Sequence, residues 1–229
     1  MSIVFSDRFR YTLIVSFYKE RIFLKHSLIR FSAVVLTIAF VFALTGCGSG
    51  SNSFTWFVDS IPANLDPQVA SGASDVIACE NLYSGLVRKD PSGKYEPALC
   101  ERWEKSSDGL TYTFTLHQGV KFHDGSDFNA EAVKRSVSRQ LEPDRLDSMP
   151  YASFNFGSED AGTGVASIEC PDDYTVVFTV RAVSTPFIKN LAMQLSSPIV
   201  SPTALDTYDN DLSEHPVGTG PYAFRSWDR

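Results

Sequence analysis

Basic residues are scarce in the main body of this chain. Residues 1–46 carry six basic and two acidic side chains, whereas the whole chain of 229 residues has a formal net charge of −7. Residues 47–229 therefore carry a net charge of −11. Because nucleic acid binding requires a basic face that neutralises phosphates, this acidic body excludes nucleic acid as the predicted partner.

Long apolar runs are also lacking. The apolar run Phe31–Leu44 is shorter than the ~20 residues that a membrane-spanning helix requires. Basic residues precede this run, and its last residue begins the sequence Leu-Thr-Gly-Cys at Leu44–Cys47. This order resembles the lipobox of bacterial lipoproteins. We therefore predict a signal peptide over residues 1–46, lipidation of Cys47 and a flexible tether over residues 47–53. The lipid would anchor an extracytoplasmic chain to the bacterial membrane, at the cell surface or in the periplasm.

Cysteine is infrequent as well, and its spacing matches no metal-binding pattern. After Cys47 only Cys79, Cys100 and Cys170 remain, without a C-x-x-C motif or a neighbouring histidine pair. We therefore predict no metal site and no cofactor. An exported chain could form one disulfide, but the sequence does not select the pair. At least one of these cysteines is expected to be a buried, small apolar residue.

A nucleophile motif is absent. His117 and His123 lie near Asp124 in the sequence, but no G-x-S-x-G motif accompanies them. The tripeptide His123–Gly125 is more simply interpreted as a turn, in which Asp hydrogen-bonds to the backbone and Gly accepts a positive φ. We predict no catalytic residue and no enzymatic activity.

Local patterns predict a mixture of strands and helices. Thr111–Leu116 alternates polar and apolar residues, as a half-buried strand does. A turn at Gln118–Gly119, a short strand Val120–Phe122 and a helix that begins after Asn129 follow it; asparagine is a favourable N-cap. Further predicted elements are a strand at Phe54–Val58, a helix at Asp75–Val87, a hairpin whose second strand is Tyr174–Val180, a helix at Phe187–Leu195, a helical turn from Pro202 and a final strand after Tyr222.

Several of these stretches resemble family 5 extracellular solute-binding proteins, the binding subunits of ABC importers for oligopeptides, dipeptides and sometimes nickel. The resemblance extends from about Phe54 to Arg229, with one departure at Cys100, where the family usually has a small residue such as alanine. It depends on an ordered set of motifs: Asn64–Pro67, Asn81–Val87, Ser107–Phe114, Gly119–Gly125, Phe128–Val133 and Pro216–Tyr222.

The resemblance implies an α+β or α/β fold, the N-terminal lobe of a two-lobed periplasmic-binding-protein-like architecture of the class II type. Residues 54–229 would form part of the first lobe, and the second lobe would be absent from this chain. The expected function is the capture of dipeptides or oligopeptides by a monomer that delivers them to an ABC permease and ATPase. Binding of nickel or another metal complex is one alternative, and an extracytoplasmic hydrolase is the second.

Two segments are candidates for peptide contact. Ser71, Gly72 and Ala73 could present backbone amides from a loop, and Met193, Gln194 and Ser197 lie at or just after the end of a predicted apolar helix. Extended peptides are bound through backbone hydrogen bonds and roomy side-chain pockets, which such residues can form.

Overall fold

The computed structural model describes residues 61–157 and 162–226. The predicted signal peptide, Cys47, the tether and the predicted strand Phe54–Val58 all lie outside these residues. Within the two described ranges, no helix combines the length and the apolar character that crossing a bilayer requires.

The described chain mixes helices and antiparallel strands, which confirms the predicted fold class. The helices are α1 (Ala73–Leu82), α2 (Ala130–Ser138), α3 (Ala152–Phe156), α4 (Phe187–Asn190) and α5 (Pro202–Thr207). The strands are β1 (Val87–Lys89), β2 (Tyr95–Pro97), β3 (Cys100–Lys105), β4 (Thr111–Leu116), β5 (Val165–Asp172) and β6 (Thr175–Val180). Two 3₁₀ turns, Arg139–Leu141 and Leu146–Ser148, follow α2.

A four-stranded antiparallel sheet in the order β3-β4-β6-β5 carries the main apolar core. Tyr112, Phe114 and Leu116 on β4 are buried, and the threonines between them are half-buried, as the alternating pattern predicted. The ring of Phe114 meets that of Phe178 on β6 edge-on, with centroids 5.7 Å apart. The predicted hairpin is present as β5 and β6, and α2 packs against both strands.

Local side-chain chemistry sets the start of α2 and the preceding turn. Asn129 Oδ1 accepts a hydrogen bond from Ala132 N at 2.9 Å, which confirms the predicted N-cap. Gly125 has a φ of +85° and donates to Phe122 O, so the predicted turn at His123–Gly125 is also confirmed. The predicted strand Val120–Phe122 is wrong, because this segment forms only an isolated bridge between Lys121 and Asp127.

The predicted helix Asp75–Val87 has the wrong boundaries. Helix α1 begins at Ala73 and ends at Leu82, because Tyr83 adopts an extended conformation. The Tyr83 hydroxyl donates to Leu65 O at 3.0 Å. The next residues run beside β2 and β3, with Leu86 O accepting from Ala98 N. The apolar residues of the predicted helix therefore continue past the point where the chain changes from helix to extended. Hydrophobic periodicity alone does not show where that change occurs.

Two later predictions also require correction. Helix α4 stops at Asn190 instead of Leu195, because Met193 N donates to Asn190 O three residues back and tightens the turn. The final strand after Tyr222 is not formed by residues 223–226, the last that the structure describes. Tyr222 N instead donates to Asn81 O, so this part of the chain crosses the C-terminal end of α1. The helical turn predicted from Pro202 is present as α5.

Candidate functional site

A cavity of about 430 Å³ lies beside the C-terminal half of α1. Its lining includes Glu80 from α1, Arg88 and Lys89 from β1, and the segment Ala192–Gln194 that follows α4. We call the residues Ala192, Met193 and Gln194 the cavity wall. Two of the six predicted contact residues, Met193 and Gln194, therefore line one cavity.

Hydrogen bonds on both sides hold the cavity wall. On its N-terminal side, Asn190 Nδ2 donates to Phe154 O at 3.0 Å. On its C-terminal side, Ser197 Oγ donates to Asn190 O at 2.6 Å and closes the loop, while Asn155 Nδ2 donates to Ser197 Oγ at 3.2 Å. Ser197 is only 3% exposed. The structure thus places this predicted contact residue behind the wall, where its hydroxyl has internal partners.

The other predicted segment, Ser71–Ala73, lies at the N-terminus of α1 and is not among the residues that line the cavity. The buried carboxylate of Asp75 accepts from Ser71 N at 3.2 Å and from Gly72 N at 2.9 Å. Its other oxygen accepts from Ala63 N at 2.7 Å. Two of the three amides expected to face a ligand are therefore satisfied within the chain, and a ligand contact by this segment stays a prediction.

A buried ion pair connects the loop before α1 to the end of α2. Arg139 Nη2 lies 2.6 Å from Asp66 Oδ2, and both side chains are 2% exposed. Arg139 also donates to Gln68 Oε1 at 2.8 Å and to Asn210 O at 2.6 Å. Because a buried charge is costly without a partner, these contacts strongly specify how the loop and the helix meet.

Two glutamines extend this polar network to the cavity wall. Gln68 Nε2 donates to Ser136 O at 2.9 Å, and Gln140 Nε2 donates to Ser196 O at 2.8 Å. Ser196 N donates in turn to Pro67 O at 2.6 Å. The loop that leads to Ser71–Ala73 and the segment that follows the wall are thus joined directly, although they are far apart in sequence.

The buried thiols of Cys79 and Cys100 both have raised pKa values. Burial, followed by the charges of Asp66 and Asp75, raises the pKa of Cys79 to about 12. Burial likewise raises the pKa of Cys100 to about 11. Since the thiolate is the form that binds metals and attacks electrophiles, neither cysteine has the reactive form available.

The residues of the two alternative functions have separate structural partners. His117 Nδ1 lies 3.8 Å from Glu101, whereas His123 Nε2 is bonded to Gly220 O at 2.9 Å. In residues 61–157 and 162–226, no three His, Cys, Asp or Glu side chains form a group that could hold a metal ion. The carboxylate of Asp124 accepts from the hydroxyls of Ser126 and Ser201 instead of orienting a histidine.

The family model of bacterial extracellular solute-binding proteins, family 5 Middle, matches residues 94–229. The glutathione-binding protein GsiB of Pectobacterium atrosepticum is 39% identical over 173 residues, which are 75% of this chain and 32% of the relative. GsiB of Salmonella typhimurium is 38% identical over 165 residues, covering 72% of this chain and 30% of the relative. The chain thus spans about a third of the length of these curated relatives.

Solved structures show the same similarity. The periplasmic binding protein DppA from Helicobacter pylori, in complex with the peptide STSA, matches with a TM-score of 0.64 and 32% identity over 73% of this chain and 35% of its own. The dipeptide-binding protein from Pseudoalteromonas sp. SM9913, in complex with Met-Leu, has a TM-score of 0.66 and 29% identity over 75% and 37%. NikZ from Campylobacter jejuni, in complex with Ni(L-His), has a TM-score of 0.63 and 28% identity over 75% and 32%. The names of GsiB, DppA and the Pseudoalteromonas protein describe binding proteins, in agreement with the predicted absence of enzymatic activity.

Proposed function

Since the chain belongs to the bacterial extracellular solute-binding proteins of family 5, we propose that it is the substrate-binding component of an ABC importer for short peptides. It captures a peptide outside the cytoplasm, as a monomer, and delivers it to a permease and ATPase complex. Cys47 carries a lipid that anchors the chain to the membrane after removal of residues 1–46, residues 47–53 form the tether, and residues 54–229 form part of the first lobe.

The cavity beside α1 is the observation that supports this proposal most directly. Its volume of about 430 Å³ lies within the ~300–1,000 Å³ that ligand sites usually have. Glu80 contributes a negative charge and Lys89 a positive one, and neither forms an ion pair with the rest of the described chain. A short peptide has an amine and a carboxylate, so a lining of both signs suits it.

The relatives support the same ligand class. GsiB is named for glutathione, a tripeptide, and two of the solved relatives hold the peptides STSA and Met-Leu. Binding of a nickel complex is the second candidate, because NikZ holds Ni(L-His). A neutral Met193 thioether and a Gln194 amide at the wall would accept either a peptide or a small metal complex.

Thermal unfolding of the protein, expressed in the full length of its natural gene, tests the proposal. Reduced glutathione, Met-Leu, a tetrapeptide and Ni(L-His) would each be added at increasing concentration. A peptide at 100 times its Kd is expected to stabilise the protein by about 2.7 kcal/mol. A shift with Ni(L-His) alone would favour the metal-complex alternative, and no shift with any peptide would contradict the proposal. Peptide cleavage, followed by mass spectrometry, would favour the hydrolase.

A matched pair of variants locates the binding site. Gln194→Ala removes an amide from the cavity wall, whereas Gln118→Ala removes one from an exposed turn that does not line the cavity. We expect Gln194→Ala to weaken peptide binding and Gln118→Ala to leave it unchanged. If both variants bind the peptide with the same affinity, the cavity wall is not part of the binding site.

A further inference from the structure

Ser196 has an unusual backbone conformation for a buried residue. Its φ is 72°, in the left-handed region that residues other than glycine rarely adopt, and its side chain is fully buried. Such a conformation persists only where the surroundings over-determine it. The residue immediately follows Leu195, which separates it from the cavity wall.

Three hydrogen bonds hold Ser196 in place, and Gln140 makes two of them. Gln140 Nε2 donates to Ser196 O at 2.8 Å, and Ser196 Oγ donates to Gln140 Oε1 at 2.6 Å. The third bond runs from Ser196 N to Pro67 O. An amide is required at position 140, because one side chain must donate to a carbonyl and accept from a hydroxyl at once.

Gln140, the partner of Ser196, is held in a rigid part of the structure. Gln140 lies in the 3₁₀ turn that continues α2, and α2 packs against β5 and β6 through the main core. The glutamine is itself fully buried. The pair of bonds therefore connects Ser196, two residues after the cavity wall, to the end of a helix that packs against the sheet.

We propose that Gln140 is a positioning residue for ligand binding. Through Ser196 it holds Met193 and Gln194 in the single conformation in which they line the cavity, without touching the ligand itself. The expected effect on ligand affinity depends on the proposed function. The first test of the inference requires no ligand.

Methionine methyl NMR provides that test, because Met193 lines the cavity whereas Met149, the other methionine in residues 61–157 and 162–226, does not. Met149 is also buried, and its signal reports on the packing outside the cavity lining. In the full-length protein labelled with ¹³C-methyl methionine, Gln140→Leu is expected to shift or broaden the Met193 signal and leave Met149 sharp. Ser196→Ala removes one of the two bonds and should have a smaller effect in the same direction.

Tyr112→Phe is the matched control. It removes one hydrogen bond, from the Tyr112 hydroxyl to Ser184 O, in the sheet region, and neither residue lines the cavity. We expect it to lower the melting temperature without changing the Met193 signal. An unchanged Met193 signal in a folded Gln140→Leu variant, or equal changes at Met149 and Met193, would overturn the inference. If Gln140→Leu does not fold, Ser196→Ala is judged by the same two outcomes.

Calorimetric titration with reduced glutathione measures the consequence for binding. If the wall is correctly placed in one tenth of the Gln140→Leu molecules, the apparent affinity falls about tenfold. Tyr112→Phe should bind as the wild type does, and equal affinities of the two variants would contradict the positioning role. A wild-type protein that binds no peptide would contradict the proposed function, whereas the NMR comparison would still decide the role of Gln140.

Discussion

Two regions of the described chain are stabilised in different ways. The sheet region, which comprises β3 to β6 with α2 and α4, has a core of aromatic and aliphatic side chains. The polar region, which comprises α1, α5, the loops around them and the end of α2 from Ser136 onward, has a smaller apolar cluster and a set of buried polar residues. Those residues are Asp66, Gln68, Asp75, Ser136, Arg139, Gln140, Ser196, Ser197 and Ser201.

The difference accounts for where the candidate site lies. Apolar packing tolerates substitutions of similar volume, whereas hydrogen bonds have fixed partners and directions. A loop that must hold Met193 and Gln194 in place is therefore better specified by a network such as Gln140 and Ser196 than by apolar contact alone. The polar region positions the cavity wall, and the sheet region provides the rigid support.

The largest expected effect concerns the buried ion pair. Arg139→Met leaves the Asp66 carboxylate buried without its cation, which is expected to lower the free energy of unfolding by about 3–5 kcal/mol. Arg135→Met removes an exposed pair with Asp206 and should cost less than about 1 kcal/mol. Urea denaturation measures both, and similar costs would show that the polar region does not depend on this pair.

The same experiment separates the two kinds of core. Adding Asp66→Leu to Arg139→Met removes the remaining buried charge and should recover part of the lost stability. Phe178→Ala in the sheet region is expected to lower the free energy of unfolding by about 3–5 kcal/mol, because it leaves a cavity in the apolar core. No second substitution of a polar residue would fill that cavity. A double variant that is no more stable than Arg139→Met would contradict this distinction.

A slightly smaller effect is expected where the chain crosses the end of α1. A Cβ on Gly218 would lie 2.3 Å from Leu82 O and 2.4 Å from Tyr83 Cδ1, so Gly218→Ala is expected to cost about 3 kcal/mol. Gly119 in the sheet region has a φ of +73° but no atom within 4 Å of such a Cβ. Gly119→Ala should therefore cost only about 1 kcal/mol. Thermal unfolding followed by circular dichroism compares the stabilities of the two variants. A larger loss for Gly119→Ala than for Gly218→Ala would show that the tighter contact lies in the sheet region.

Two helix caps provide the third comparison. Asn129 Oδ1 accepts from Ala132 N at the start of α2, and its replacement by alanine should cost about 1 kcal/mol. Ser201 Oγ accepts from Ala204 N at the start of α5 and also donates to Asp124. Because it loses a second hydrogen bond, Ser201→Ala should cost about 2 kcal/mol. Equal losses in urea denaturation would show that the bond to Asp124 adds nothing.

The smallest expected effect is a dependence on pH. Burial raises the pKa of Asp124, but hydrogen bonds from Ser126 and Ser201 lower it further, so the pKa lies below the ordinary 3.8. The stabilisation by this carboxylate is thus present above about pH 4 and is lost as the pH falls through the lowered pKa. The difference in urea midpoint between wild type and Asp124→Asn should therefore narrow below pH 4. The pKa of Asp108 is also lowered, by hydrogen bonds from Ser106 and Leu110 beside it. The difference in urea midpoint between wild type and Asp108→Asn at neutral pH should be smaller than that for Asp124→Asn. A gap for Asp124→Asn that stays constant with pH would contradict this assignment.

Much of the sheet region could be predicted from the sequence, because its signals are local. The alternation in Thr111–Leu116, the N-cap at Asn129 and the turn at His123–Gly125 each depend on residues within a few positions of one another. The ends of the helices could not be predicted as well. Helix α1 ends where Tyr83 becomes extended and its hydroxyl bonds to Leu65 O, a contact across 18 residues that no local pattern contains.

The candidate site could be predicted only in part. Met193 and Gln194 were expected to contact a ligand and do line the cavity, whereas Ser197 lies behind the wall. Ser136, Arg139 and Gln140 were missed, although their spacing places them on one face of the α2 end. A polar face of this kind is normally exposed to solvent, so the pattern gave no reason to bury it.

The sequence by itself determined the local elements of the sheet region and the family to which the chain belongs, because short motifs and hydrophobic periodicity carry that information. Only the tertiary structure decided which polar side chains are buried and what they hold. Arg139 meets Asp66 across 73 residues, and Gln140 meets Ser196 across 56. Because a polar side chain tolerates burial only beside its partner, its role is set by where the folded chain places that partner.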